Sequence, residues 1–176
     1  MSTALLTPLL GALFVVGQDA KVAKPEPAKQ LAELDFLVGR WAGGGDMPGG
    51  VKYTDEFLYS WNEHKTFLRS TYKLTVGTQV AWTDENVIGW DAELKKLVGF
   101  TFGMDGTIGR GVALDVKNNE WTFEGKSSGS SPMKEWRITL AKVDDDTITS
   151  TIFVKKGDQY EQVMKNTYKR AAKPKQ

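Results

Sequence analysis

Apolar side chains recur at every second position through most of the chain. Over 51–61, Val51, Tyr53, Phe57, Tyr59 and Trp61 fall on one face, and over 67–76 Leu68, Tyr72, Leu74 and Val76 do the same. The same period predicts strands at 86–91, 97–102, 107–116, 121–125, 133–142, 147–155 and 160–170. The breaks between them carry turn chemistry: Asn62-Glu63-His64-Lys65, Gly103-Met104-Asp105-Gly106, Lys117-Asn118-Asn119, Asp144-Asp145-Asp146 and Lys156-Gly157-Asp158-Gln159. Residues 77–84 read as a connection, and 126–132 as a Ser/Gly-rich loop. Before the strands, Leu31, Leu34 and Leu37 keep a helical spacing. A helix of about three turns over 26–36 is therefore expected, lying across one mouth of the sheet.

With 39–42 counted as the first strand, the pattern predicts about ten antiparallel strands in a meander without an interior helix. Closing such a meander removes its exposed edges, so the expected fold is an all-β barrel. The opening stretch runs Asp35-Phe36-Leu37-Val38-Gly39-Arg40-Trp41-Ala42-Gly43-Gly44-Gly45. Its glycines let the first strand bend into a closed sheet, and its indole suits a plug at one barrel end. Gly43 to Gly50 reads as a long flexible turn.

Leu34-Asp35-Phe36-Leu37-Val38-Gly39-Arg40-Trp41, followed by Phe67-Leu68-Arg69-Ser70-Thr71-Tyr72 and Ile88-Gly89-Trp90-Asp91, resembles a bacterial family of unknown function grouped with calycin-like barrels. The likeness runs over 33–170. More distantly the chain is similar to the nitrobindins, ten-stranded haem-binding barrels with the same opening. The resemblance implies a calycin-like barrel with Trp41 packed under a basic residue of the last strand, here Lys169 or Arg170. It also raises haem as a cofactor, held in nitrobindins by a late-strand histidine.

That ligand does not transfer. The chain has one histidine, His64, in the turn after 51–61, and the late strands have none. Haem would fall to Tyr or Met. Tyr160, Met164 and Tyr168 are expected on one face of the last strand, where such a stripe is first of all core. Haem is thus disfavoured, and no resident cofactor is expected.

Composition narrows the rest. Lys and Arg total 23 against 22 Asp and Glu, so no basic face marks a nucleic-acid partner. The absence of cysteine removes disulfides, thiolate nucleophiles and Cys-based metal sites. A lone histidine and the lack of a Gly-x-Ser-x-Gly elbow weaken hydrolytic triads. Asp144-Asp145-Asp146 lacks the spaced ligands of a calcium loop and reads as a turn. The apolar run 4–16 has signal-peptide length and is too short for a stable membrane span. The expected organisation is a leader over 1–17, a linker over 18–30, the barrel over 31–172 and a tail over 173–176, with export to the periplasm or medium.

The alternation singles out charges that share faces with apolar residues. Asp55 falls with Tyr53, Phe57 and Tyr59, and Arg110 with Ile108, Val112 and Leu114. A charge inside a barrel must be paired or await a ligand. Arg110, Asp55, Tyr59, Arg69, Met164 and Tyr168 are the candidate ligand-binding residues, with no catalytic or metal residue expected. The leading expectation is non-enzymatic binding of a small, partly hydrophobic or anionic ligand. The alternatives are a small-molecule enzyme using interior Asp55, Arg110 and tyrosines, and a filled barrel serving only as a structural domain.

Overall fold

The computed structural model describes residues 26–46 and 49–171. The expected leader, most of the linker and the tail lie outside them. Ten strands follow one another: β1 (Gly39–Asp46), β2 (Lys52–Trp61), β3 (Phe67–Val76), β4 (Gln79–Asp91), β5 (Lys96–Gly103), β6 (Ile108–Lys117), β7 (Glu120–Ser127), β8 (Glu135–Asp144), β9 (Thr147–Lys156) and β10 (Gln159–Arg170). Each pairs antiparallel with the next and β10 returns to β1, closing an up-and-down barrel. The expected fold class is the observed one.

One end is plugged from the N-terminal side. The expected three-turn helix is shorter: α1 (Lys29–Ala32) is a single turn, and a 3₁₀ turn (Asp35–Leu37) follows it. The leucine spacing explains this. Leu31, Leu34 and Leu37 are three apart, and Leu34 N–H donates to Leu31 O at 3.0 Å and Leu37 N–H to Leu34 O at 2.9 Å. Bonds of that span eclipse every third side chain, so the leucines stack along one line into the barrel. All three are buried, as is Trp41, whose indole N–H donates to Leu37 O at 2.7 Å. Leu97, Trp121, Leu140 and Ile148 belong to the same core.

Arg170 locks the plug. Its guanidinium lies 4.2 Å over the Trp41 ring and donates to Val38 O at 2.9 Å and Phe36 O at 2.8 Å. Of the basic residues the resemblance offered, Arg170 takes the place over Trp41, while Lys169 donates to Thr147 Oγ1 at 2.6 Å.

The glycine run is strand, not turn. β1 continues through Gly43–Gly45 to Asp46, paired with β2 in register Gly43↔Asp55 and Gly45↔Tyr53. Toward β10 it pairs only at Trp41↔Arg170 and Ala42↔Lys169. The upper half of the closure thus lacks a backbone ladder, and side chains take over there.

Candidate functional site

Inside the barrel, on the side away from the leucine plug, is a cavity of about 390 Å³. Its wall is mainly apolar and aromatic, with Phe57, Tyr72, Leu74, Trp82, Phe123 and Trp136 among its residues. At the far end it meets the β5–β6 turn at Thr107 and the β7–β8 loop at Ser131 and Pro132. Glycines make room for Trp136, one of its two wall tryptophans. A Cβ on Gly111 would stand 2.5 Å from Trp136 Cη2, and one on Gly125 would stand 2.6 Å from Trp136 Cζ2. The indole of β8 therefore lies across bare backbone of β6 and β7, anchored by its N–H to Ser127 Oγ at 2.9 Å.

The polar part of the wall centres on Asp84 of β4. Trp82 Nε1 donates to its Oδ2 at 2.9 Å, and Asn86 Nδ2 to its Oδ1 at 2.7 Å. Thr101 of β5 in turn donates to Asn86 Oδ1 at 2.6 Å. Trp82, Asp84 and Asn86 alternate along one strand, so period two alone puts the carboxyl between its two donors. Burial raises the Asp84 carboxyl above the usual carboxylate range, against the lowering effect of those hydrogen bonds. Tyr59 of β2 is held well above an ordinary tyrosine, first by burial and then by the Asp84 charge. No Lys, Arg or His is among the described residues that line the cavity.

A second polar cluster closes the barrel seam. Asp55 of β2 is fully buried. Its Oδ2 accepts from Tyr168 Oη at 2.7 Å and from Asn166 Nδ2 at 2.7 Å, both on β10, and from Tyr72 Oη at 3.5 Å. Tyr53 Oη donates to Asn166 Oδ1 at 3.0 Å. To reach β10 these side chains cross the inner face of β1, and its glycines leave the path clear. A Cβ on Gly43 would stand 2.7 Å from Asp55 Oδ1, and one on Gly45 would stand 3.2 Å from Tyr53 Cε1. Asp55 Oδ1 has no hydrogen-bond partner. Burial, then the Asp55 charge, pushes Tyr168 and Tyr72 far above the ordinary tyrosine value.

The candidates divide between the two faces of the wall. Asp55, Tyr59 and Tyr168 are buried inside, and Tyr59, Met164 and Tyr168 line the cavity, Met164 with 36% exposure. Arg110 is not inside. It does share a face with Ile108 and Val112, but that face is the outer one: Arg110 pairs with Phe100 and Lys126, is exposed, and its neighbours Gly109 and Gly111 face Trp136. The apolar residues misled the reading because this outer face is itself apolar, with Phe100, Phe102 and Ile108 exposed. Arg69 is likewise outside and exposed, between Ser60 and Val87, because Leu68, Ser70 and Tyr72 take the inner positions of β3.

Tyr160 leaves the expected stripe as well. A bulge between Gln162 and Met164 shifts the parity of β10. Met164 and Tyr168 point inward, while the Tyr160 ring packs outside under Arg137 at 4.2 Å.

Asp84, Asn86 and Thr101 were missed. Residues 77–84 read as a connection, yet β4 starts at Gln79. Alternation finds inward positions by their hydrophobicity, so an inward Asp and Asn erase the signal at the place where the chemistry sits. The available clue was that Trp82, Ile88 and Trp90 keep a common parity across them.

The donor set does not fit haem. His64 is in the β2–β3 turn at the plugged end, Tyr168 Oη is committed to Asp55, and Met164 Sδ accepts Asn166 Nδ2 at 3.4 Å. Among the described residues no group of three or more His, Cys, Asp or Glu side chains assembles to hold a metal ion, and no helix is long and apolar enough to cross a membrane. Compared with protein-family models and with curated proteins, the chain matches none.

Proposed function

We propose that this barrel binds one small, predominantly apolar molecule in its interior, non-covalently and without a resident cofactor. The observation that carries the reading is the cavity of about 390 Å³ with an aromatic wall and a polar centre at Asp84. Ligand sites of this kind have volumes of about 300–1,000 Å³ and a few placed polar groups. The cavity also speaks against the filled, purely structural barrel. The closed ten-stranded sheet is compatible with the calycin-like resemblance. With Arg110 outside, the anionic half of the expected ligand class loses its support. The leader-like residues 1–17 support export, so that the ligand is met outside the cytoplasm.

A second reading is acid–base catalysis on the bound molecule by Asp84, favoured by its raised carboxyl in an open wall. Native mass spectrometry of the full chain purified from its own host tests both. A retained small molecule, recovered chemically unchanged after incubation, supports the binder. Conversion of the retained molecule supports the enzyme. Gly99→Leu provides the control: Gly99 lines the cavity and its nearest neighbour is 3.9 Å from a built Cβ, so the new side chain projects into free space. The variant is expected to fold and to lose the retained mass; retention at the wild-type level rejects an interior site.

A further inference from the structure

We infer that the molecule taken up by the cavity carries a protonated amine, or another cationic N–H donor, that seats against Asp84. The inference rests on the binding reading above and names its ligand class. Asp84 lines the cavity and, among the described residues, forms no ion pair. Its partners are the neutral donors Trp82 Nε1 and Asn86 Nδ2, one on each oxygen. A carboxylate has about four lone-pair positions, so each oxygen retains acceptor capacity after those bonds. Asp84 is half-buried in an apolar wall, and a carboxylate there with only neutral donors remains without a countercharge.

The surroundings select the sign of the missing partner. The rest of the cavity wall brings no cation toward Asp84. Tyr59 of β2 and Tyr72 of β3 face it as neutral phenols, their ionised forms disfavoured by burial and by the acidic neighbours. Opposite on β5 are Thr101 and Gly103, which carry no charge. Asp55, behind Tyr72, adds a second acidic group. An anion would meet the Asp84 carboxyl with no cation in the wall to offset it, and a neutral molecule would leave Asp84 as it is. A cation would supply the countercharge in a wall that holds Phe57, Tyr72, Trp82 and Trp136, rings whose faces attract positive charge through their quadrupoles. The apolar remainder of the wall favours an organic cation with a hydrophobic body over a bare metal ion, for which no ligand group assembles among the described residues.

The test is competition on the full chain. The protein is loaded with N-phenyl-1-naphthylamine, a fluorescent probe uncharged at neutral pH, and titrated with compounds sharing one hydrophobe: 3-phenylpropylamine, 3-phenylpropanol and 3-phenylpropanoate. Replacing a neutral hydrogen bond by a charged one is worth about tenfold in affinity, so the amine should displace the probe at about one tenth of the alcohol concentration. The carboxylate should be the weakest. Asp84→Asn should level amine and alcohol while the probe still binds. Equal displacement by amine and alcohol in the wild-type protein overturns the inference and leaves the cavity reading standing, as does an amine preference that survives in Asp84→Asn. Uptake of none of the compounds, read directly by native mass spectrometry, overturns the cavity reading and this inference together.

Discussion

Gly43→Ala is expected to loosen the barrel where it closes. The new Cβ would stand 2.7 Å from Asp55 Oδ1, 2.8 Å from Tyr168 Cδ1 and 3.0 Å from the Thr167 carbonyl oxygen. One of those neighbours is backbone, so relief has to come from the side chains, and those side chains are the closing bridge itself. Overpacking of this kind costs about 1–3 kcal/mol. Displacing Asp55 also weakens its bonds from Tyr168 and Asn166, each about 1.5–3 kcal/mol if made to a charged acceptor. Alanine returns only about 0.4–1 kcal/mol by restricting the unfolded chain. The balance is a loss of about 3 kcal/mol, or about 10 °C in Tm for a domain of this size.

Urea denaturation followed by tryptophan fluorescence measures this loss, with Gly99→Ala as the matched control. A Cβ at Gly99 meets nothing closer than Ile88 Cγ1 at 3.9 Å, so that midpoint should stay within about 0.5 kcal/mol of wild type. Adding Gly43→Ala to an Asp55→Ala background should cost less than it does alone, because the nearest of the three crowded neighbours is gone and Tyr168, released from Asp55, is free to move aside. An unchanged midpoint for Gly43→Ala, or strict additivity in that cycle, would refute the bridge as the element that closes the seam.

Other substitutions probe the plug and the polar centre. Arg170→Lys should cost about 2 kcal/mol, because an ammonium cannot serve Phe36 O and Val38 O as a fork while covering Trp41; thermal unfolding checks it, and a neutral result removes Arg170 from the lock. Leu34→Ala, at a site with 0% exposure, should cost about 2–5 kcal/mol in the same assay. Asp84 holds its proton to higher pH in the folded chain than in the unfolded one. Its contribution to stability is therefore full below the unfolded carboxyl value and is lost as pH rises through the folded value. The stability of Asp84→Asn relative to wild type should accordingly move in the variant's favour as pH rises from about 4, the unfolded carboxyl value, and a difference that is flat in pH would contradict the raised carboxyl.

The strand order and the closed sheet were legible because period-two alternation survives wherever an inward side chain is apolar. Asp55 was found on that basis, since Tyr53, Phe57 and Tyr59 frame it. Alternation misleads where it carries no information about which face is which. Arg110 sits among Ile108, Val112 and Leu114, and only the space demanded by Trp136 at Gly111 and Gly125 shows that the small residues are the inner ones. A single extra residue near Val163 moved Tyr160 to the outside, and no local feature announces that bulge. Asp84 and Asn86 were lost for the opposite reason: polar groups inside a barrel look, in sequence, like a loop. Gly43–Gly45 was misread because a strand stripped of side chains to let its neighbours reach across it has the composition of a turn.

That stripped strand has a kinetic consequence. The hydrogen bonds spanning it join Asp55 to partners 111 and 113 positions away, whereas each hairpin from β2 to β10 forms between chain neighbours. Loop closure over such a distance brings its entropic cost before its reward, so the seam is expected to form last, after the hairpins have passed the rate-limiting step. Contacts made after the rate-limiting step govern how fast a protein comes apart, not how fast it assembles. Substitutions at Gly43, Asp55 or Tyr168 should therefore shorten the lifetime of the folded barrel and leave its folding rate nearly unchanged, so that stopped-flow unfolding reports on a glycine run.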